Sequence, residues 1–256
     1  MKGEMDKMRF DLKNQIVIIT GGVGLLGIKH AEAVEEQGAI PILIDIKESS
    51  EKYQSYNADI TDKSAMLKIK EQLLNEYGHI DVLVNNAANN PKVESKSKNF
   101  GELEDFPLEI WYEDIRVGLT GALICTQVFG SQMAKQNKGS IINIGSIYGT
   151  HIGPHQSLYD IPKPISYNVV KAGLVGLTKY CATYWAGKNV RCNIVTFAGV
   201  YNNQPSSFVN NLEKLIPLGR MANIDEYKEI IVFLASDASS YMTGADIVID
   251  GGITSW

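Results

Sequence analysis

Cysteine is scarce in this chain. Cys125, Cys181 and Cys192 are far apart and odd in number, which argues against a disulfide framework and suits buried thiols in a reducing cytosol. No apolar run of 18 residues occurs, and the opening MKGEMDKMRFDLKNQ lacks the apolar stretch of a signal peptide. Neither a membrane span nor secretion is therefore expected. Basic excess is missing too: the net charge is −5, which speaks against nucleic acid as a partner. The one lysine run, Lys92, Lys96 and Lys98, has the character of a solvated loop. Repeats, linkers and low-complexity segments are absent. His151 and His155 stand four apart, but in a Gly/Pro loop rather than on a helix, so no metal site is expected. What remains is a cytoplasmic globular protein with a small-molecule partner.

The 256 residues, 45% hydrophobic and 21% charged, suit one large α/β domain spanning 1–256. Short β-branched runs near 16–20, 40–45, 54–58, 81–84, 140–145, 190–196 and 246–249 read as strands. Helical patterns fall near 25–37, 63–77, 109–136, 166–187 and 223–236. Most of the strands lack polar alternation, as expected when helices cover both faces of a parallel sheet. The alternation predicts a Rossmann-type doubly wound parallel sheet of about seven strands in a three-layer α/β/α sandwich. The stretches 88–108, 147–165 and 201–216 break the rhythm. Each follows a strand, so each leaves the carboxyl edge where such sheets bind ligands, and together they are expected to wall a substrate pocket.

The segment IVIITGGVGLLGIKHAEAVEEQG is a strand, a glycine-rich turn and a helix. Gly21 permits the tight turn, and Gly24 and Gly27 permit close approach of a pyrophosphate and of helix to strand. Asp45 closes the second strand 21 residues past Gly24, where an acidic side chain accepts bonds from the adenosine ribose. A carboxylate there repels the extra phosphate of NADP and predicts NAD, although nearby Lys47 keeps NADP open. Asp59 and Asn86 end the third and fourth strands and line the same crevice.

The pattern Tyr-x-x-x-Lys occurs twice, as Tyr159/Lys163 and Tyr167/Lys171. One helical turn apart on a shared face, such a pair can make a phenolate base. Pro162 and Pro164 exclude a helix interior at 159–163. Tyr167 and Lys171 instead open a helix whose apolar stripe runs Val170, Leu174, Leu177, Cys181, Tyr184. They are the expected pair, with Ser146 at the end of SIINIGS to hold the substrate oxygen.

Taken in order, TGGVGLLG, NADIT, DVLVNNAA, SIINIGS, YNVVKAGLVGLTKYCA, VRCNIV and the stretch from PLGRMANIDEYKEIIVFLASDASS to DIVIDGG resemble the classical short-chain dehydrogenase/reductases, from about residue 12 to 253. The resemblance implies nicotinamide-dependent hydride transfer at an alcohol or carbonyl, with Ser146, Tyr167 and Lys171 catalytic. Gly21, Gly24, Leu26, Gly27, Asp45, Asp59, Ile60, Asn86, Tyr167, Lys171 and Val200 would contact the cofactor. It also implies a homo-oligomer, dimer or tetramer, through the helix at 109–136 and the small residues Ala172, Gly173 and Gly176.

The chain departs from the family at three points. The spacing T-G-x-x-G-x-x-G is that of the extended subfamily. Phe197-Ala198 replaces a P-G step. Gly118 stands where the family has an asparagine that holds a water in the proton path, and the glycine is expected to leave space for a second water. Serine and Tyr167 are 21 residues apart rather than about a dozen, read here as an insertion in the intervening loop. Polar loop residues, among them His151, His155 and Asn202, point to a hydroxylated, sugar-like substrate. More faintly, VGLTGALICTQ and that loop resemble the dehydrogenases of bacterial surface-sugar and flagellin modification. Two rivals stay open: an epimerase or dehydratase with bound NAD, and a non-enzymatic NAD-binding regulator.

Overall fold

Seven short strands pair side by side, the central ones built on apolar, mostly β-branched residues. In the computed structural model, which describes residues 10–47, 50–89, 102–159 and 163–256, they are β1 Ile16–Thr20, β2 Ile40–Asp45, β3 Ser55–Asn57, β4 Val82–Asn85, β5 Gly139–Ser146, β6 Val190–Phe197 and β7 Asp246–Ile249. They form one parallel sheet in the order β3-β2-β1-β4-β5-β6-β7. The chain winds outward from β1 in both directions, so the crevice between β1 and β4 opens at the carboxyl edge.

Alternate residues of β1 feed two cores. Val17 and Ile19 pack with the helices α1 (Leu25–Glu36) and, late in the chain, Lys228–Ala235. Ile16 and Ile18 face α2 (Lys63–Tyr77), a long helix α3 over 108–136, and α4 (Ile165–Tyr184). A period of two along each strand thus produces three layers. A buried polar ladder fixes the second face: Asn85 Nδ2 donates to Asn143 Oδ1 at 2.9 Å and Thr126 Oγ1 at 3.1 Å, and Asn143 Nδ2 donates to Thr178 Oγ1 at 2.8 Å. These bonds tie α3 and α4 to β4 and β5, and with them everything that α4 carries toward the crevice.

Three expectations need correcting. The helix at 109–136 is not uniformly α: wide π turns occur at Arg116–Gly121 and Thr126–Gly130. Both wide turns carry glycines pressed against a neighbour, Val170 at Gly118 and Trp185 at Gly130. The stretch 201–216 is not all loop, because Ser206–Glu213 forms a helix, α5, that buries Phe208 and Leu212 one turn apart. The final helix is therefore α6, Lys228–Ala235. Tyr184, placed on the buried stripe of α4, is 66% exposed and stacks on Tyr180 instead. Of the expected pocket loops, residues 90–101, with Lys92, Lys96 and Lys98, and residues 160–162, with Pro162, lie outside the described residues.

Candidate active site

The glycine turn is held from two sides. The peptide N–H of Gly21 donates to Ile44 O at 2.8 Å, and Asn86 Nδ2 donates to Thr20 O at 3.0 Å and Gly21 O at 3.1 Å. Gly21 has φ +60°, and a Cβ there would meet Ala87 Cα at 2.9 Å. At Gly27 a Cβ would meet Gly21 O at 2.3 Å, so this glycine serves the packing of α1 on the turn and does not line the cavity. Asp62 caps α2 with bonds to the N–H groups of Ser64 and Ala65, but Gly24 caps α1 with no side chain at all. The first-turn amides of α1 therefore face the cavity, where Gly24 and Leu26 are part of the wall.

That cavity, about 820 Å³, runs along the carboxyl edge. Asp45 ends β2 at one side of it. Its Oδ2 accepts from the N–H of Val23 at 3.1 Å and its Oδ1 from the N–H of Lys47 at 3.0 Å, which aims the carboxylate at the turn. Asp59 accepts from the N–H and hydroxyl of Thr61 and from Arg116 Nη1 at 3.0 Å. Burial works to raise its pKa, but these bonds outweigh it and hold the carboxyl below its ordinary value. Ile60, Asn86 and Val200 complete this end. Phe197 and Ala198 also line the cavity, and the Phe197 ring stacks on Tyr227 at 3.9 Å.

Ser146 closes β5, and its hydroxyl accepts from the N–H of Tyr148 at 3.3 Å. Pro164 caps α4, so Tyr167 is the third residue of a helix, with Lys171 one turn on. The Tyr167 phenol and Ser146 line the same cavity. Lys171 is buried, donates from Nζ to Ile144 O at 2.7 Å, and lies 5.7 Å from the centre of the Tyr167 ring. Burial pushes the Lys171 pKa down to about 8, helped by the charge of Lys163. Burial also raises the Tyr167 phenol above its ordinary value, against the opposing influence of Ser146. In the bare protein desolvation is thus the larger influence on this phenol.

Of the three residues expected to touch substrate, only Asn202 lines the cavity. His151 turns toward Asp246, with Nδ1 3.8 Å from its carboxylate, and His155 lies edge-on behind Tyr148. The wall is made instead by residues given no role above: Tyr148, Tyr159, Lys163, Phe208, Leu212 and Met221. Tyr159 has an extended backbone, outside any helix. Both Tyr-x-x-x-Lys patterns therefore enter one cavity, although only the second does so from a helix. The repeated pattern was itself the available signal.

The space expected at Gly118 is filled. A Cβ on Gly118 would meet Val170 Cγ1 at 2.5 Å and Cγ2 at 3.3 Å. The valine between Tyr167 and Lys171 occupies the place where a second water was expected, and that expectation is withdrawn. Among the described residues no cluster of three or more metal-ligating side chains occurs, and no helix is long and apolar enough to cross a membrane.

With the serine, tyrosine and lysine at one end of the crevice and the uncapped helix and Asp45 at the other, likeness to known proteins becomes informative. Residues 24–254 match the family model described as enoyl-(acyl carrier protein) reductase. The chain belongs to the classical short-chain dehydrogenase/reductase family. It is 32% identical to a 3-oxoacyl-(acyl-carrier-protein) reductase, FabG, of Thermotoga maritima, over 94% of this chain and 98% of that protein. It is 33% identical to an NADP-dependent mannitol dehydrogenase of Alternaria alternata, over 95% and 93%. A solved short-chain dehydrogenase from Leptospira borgpetersenii with bound NAD+ superposes with TM-score 0.87 at 31% identity, covering 99% and 98% of the two chains. The protein is an oxidoreductase of this family acting on CH–OH groups with a nicotinamide dinucleotide. Relatives this different in substrate and in cofactor leave both to be argued from the site.

Proposed function

We propose that the protein interconverts a secondary alcohol and its ketone on a polar, hydroxylated, sugar-like substrate, using NAD rather than NADP. The observation that carries this reading is that Ser146, Tyr167 and Lys171 line one cavity with Asp45. The residues fit a dinucleotide: α1 begins without a side-chain cap, its turn tolerates no Cβ at Gly21, and a carboxylate waits at the end of β2. Bound there, the nicotinamide supplies a hydride acceptor or donor. Asp45 accepts bonds from the ribose hydroxyls and repels a 2′-phosphate. Asp59, Ile60, Asn86 and Val200 enclose the cofactor. Ser146 holds the substrate oxygen, and Tyr167 takes or returns its proton. The ammonium of Lys171, when charged, favours the phenolate. Asn202 and its neighbour Asn203 offer amides to substrate hydroxyls.

Association of identical subunits belongs to the same reading, supported by the exposed Leu123, Tyr180 and Tyr184 on α3 and α4. Incubating the protein with NAD+ and a panel of polyols and sugar acids, with NADH absorbance as the readout, tests the proposal. Accumulation of NADH with hydroxylated substrates is expected. Conversion of substrate without net NADH would favour an epimerase instead, and equal rates with NADP+ would remove the role given to Asp45.

A further inference from the structure

Tyr167 is only the third residue of α4, and Pro164, which caps that helix, gives its first turn no side-chain bond. The first turn of a helix is where its backbone is least held. A phenol that exchanges a proton with substrate must nevertheless keep its place. The anchor lies one residue earlier. Ser166 is fully buried, and its hydroxyl donates to Asp114 Oδ2. A helix turns about 100° per residue, so Ser166 meets α3 while Tyr167 enters the cavity.

Asp114 is itself buried on α3 and accepts a second bond, from Asn89 Nδ2 at 3.0 Å. Asn89 follows β4 and lines the cavity. One carboxylate thus joins three pieces of the site: the segment after β4, α3 and the start of α4. The contact has a companion one turn on. Four residues past Asp114 is Gly118, four past Ser166 is Val170, and a Cβ on Gly118 would meet Val170 Cγ1 at 2.5 Å. The bare glycine sets how near the two helices come, and the Asp114–Ser166 bond sets their register. A carboxylate is costly to bury unless it is hydrogen-bonded, and bonds to it are stronger than neutral ones. Neither donor can therefore leave without stranding the acid.

We propose that Asp114 is a positioning residue for the reaction: by clasping Ser166 and Asn89 it fixes the first turn of α4, and so holds the Tyr167 phenol in register with the cavity wall. This rests on the alcohol-dehydrogenase reading and adds a residue that acts through Tyr167 without touching substrate. The role is one of geometry rather than charge. An asparagine at 114 can keep both bonds, accepting from Asn89 through Oδ1 and donating to the Ser166 oxygen through Nδ2. A leucine fills similar space and keeps neither.

The test compares Asp114→Leu, Ser166→Ala and Asp114→Asn with the wild type in the oxidation of glucitol by NAD+, with rates expressed per NAD-binding site. Asp114→Leu and Ser166→Ala are expected to lower kcat by about 10- to 100-fold, the cost of a small misplacement of a reacting group, with KM little changed. The double variant should lose little more than either alone, because both changes break the same bond. Asp114→Asn restores most of kcat. Amide hydrogen exchange over residues 164–171 gives a readout that needs no turnover, and it should quicken in Asp114→Leu but not in Asp114→Asn. A loss of rate matched by a loss of NAD-binding sites, or unchanged exchange over 164–171, overturns the proposal while leaving the dehydrogenase reading intact. Equal losses in Asp114→Asn and Asp114→Leu overturn it in favour of the charge of Asp114, which acts on Lys163. Quickened exchange in Asp114→Leu alone, with no NADH from any polyol in the wild type, upholds the anchor and removes the dehydrogenase reading instead.

Discussion

The two ends of the cavity are built by different means. At the cofactor end the contacts are mostly backbone: Gly21 and Asn86 are cross-tied to β1, β2 and β4, and Asp45 is aimed by two peptide N–H groups. At the substrate end the wall is side chain, drawn from the turn after β5, the approach to α4, and α5. Backbone geometry of the first kind requires particular residues, glycine where no Cβ fits and a carboxylate at a strand end. A side-chain wall admits many solutions, and its members meet only in the folded chain. The first end therefore constrains its residues one by one, and the second leaves room for many side-chain solutions.

Tyr167 stands at the junction, and exchanging the two tyrosines probes that boundary with the largest effect. Tyr167→Phe is expected to lower kcat by at least the 10²–10⁴-fold typical of lost acid–base help. Tyr159→Phe, which removes a hydroxyl from a residue of the cavity wall, should act mainly on KM. Steady-state kinetics of both, with NAD binding measured separately, decides whether the division at α4 is correct.

Beneath the cofactor end lies a buried imidazole. His30 on α1 is fully buried against Phe197, and neither ring nitrogen finds a hydrogen-bond partner among the described residues. Burial lowers its pKa from 6.5 to about 3. The unfolded chain therefore binds a proton that the folded one refuses, and stability falls as pH drops from 6.5 toward 3, by roughly 5 kcal/mol in all. His30→Leu should remove most of this acid sensitivity and cost little at neutral pH, as read by denaturant unfolding from pH 4 to 8.

Selectivity at the cofactor end comes next. Asp45→Ala should erase a preference for NAD worth on the order of 2–3 kcal/mol, measured as the ratio of kcat/KM for NAD and NADP. Smallest is the effect at Gly118. Gly118→Asn must displace Val170, which overpacking prices at about 1–3 kcal/mol, so Tm should fall. Adding Val170→Ala should recover part of the loss.

Much of the frame was legible in the sequence. Gly21, Gly24 and Asp45 are set by strand, turn and strand in fixed succession, and Pro164 marks where the Tyr167 helix begins. The central strands β1, β2 and β4 carry both cores because their apolar runs are unbroken. The rest depended on contacts between distant residues. Val170 appeared only as one member of an apolar stripe, and nothing local revealed that its methyls fill the space beside Gly118. The i, i+4 spacing of Phe208 and Leu212 was a helix signal inside a stretch read as loop. His151 and His155 were polar and near the site in sequence, yet the turn with Gly149 at φ +95° leads them away from the cavity. Lys163 was discounted because it lacked a helix, yet its side chain lines the cavity.

The central claim is that a carbinol hydrogen leaves the substrate as hydride while Tyr167 handles the proton. Tracing a deuterium from the carbinol carbon of a secondary alcohol into NADH by mass spectrometry tests this most directly. The account predicts NADH carrying one deuterium per turnover, and its loss in Tyr167→Phe with NAD binding retained. Substrate conversion with the deuterium retained on carbon or released to water would contradict it.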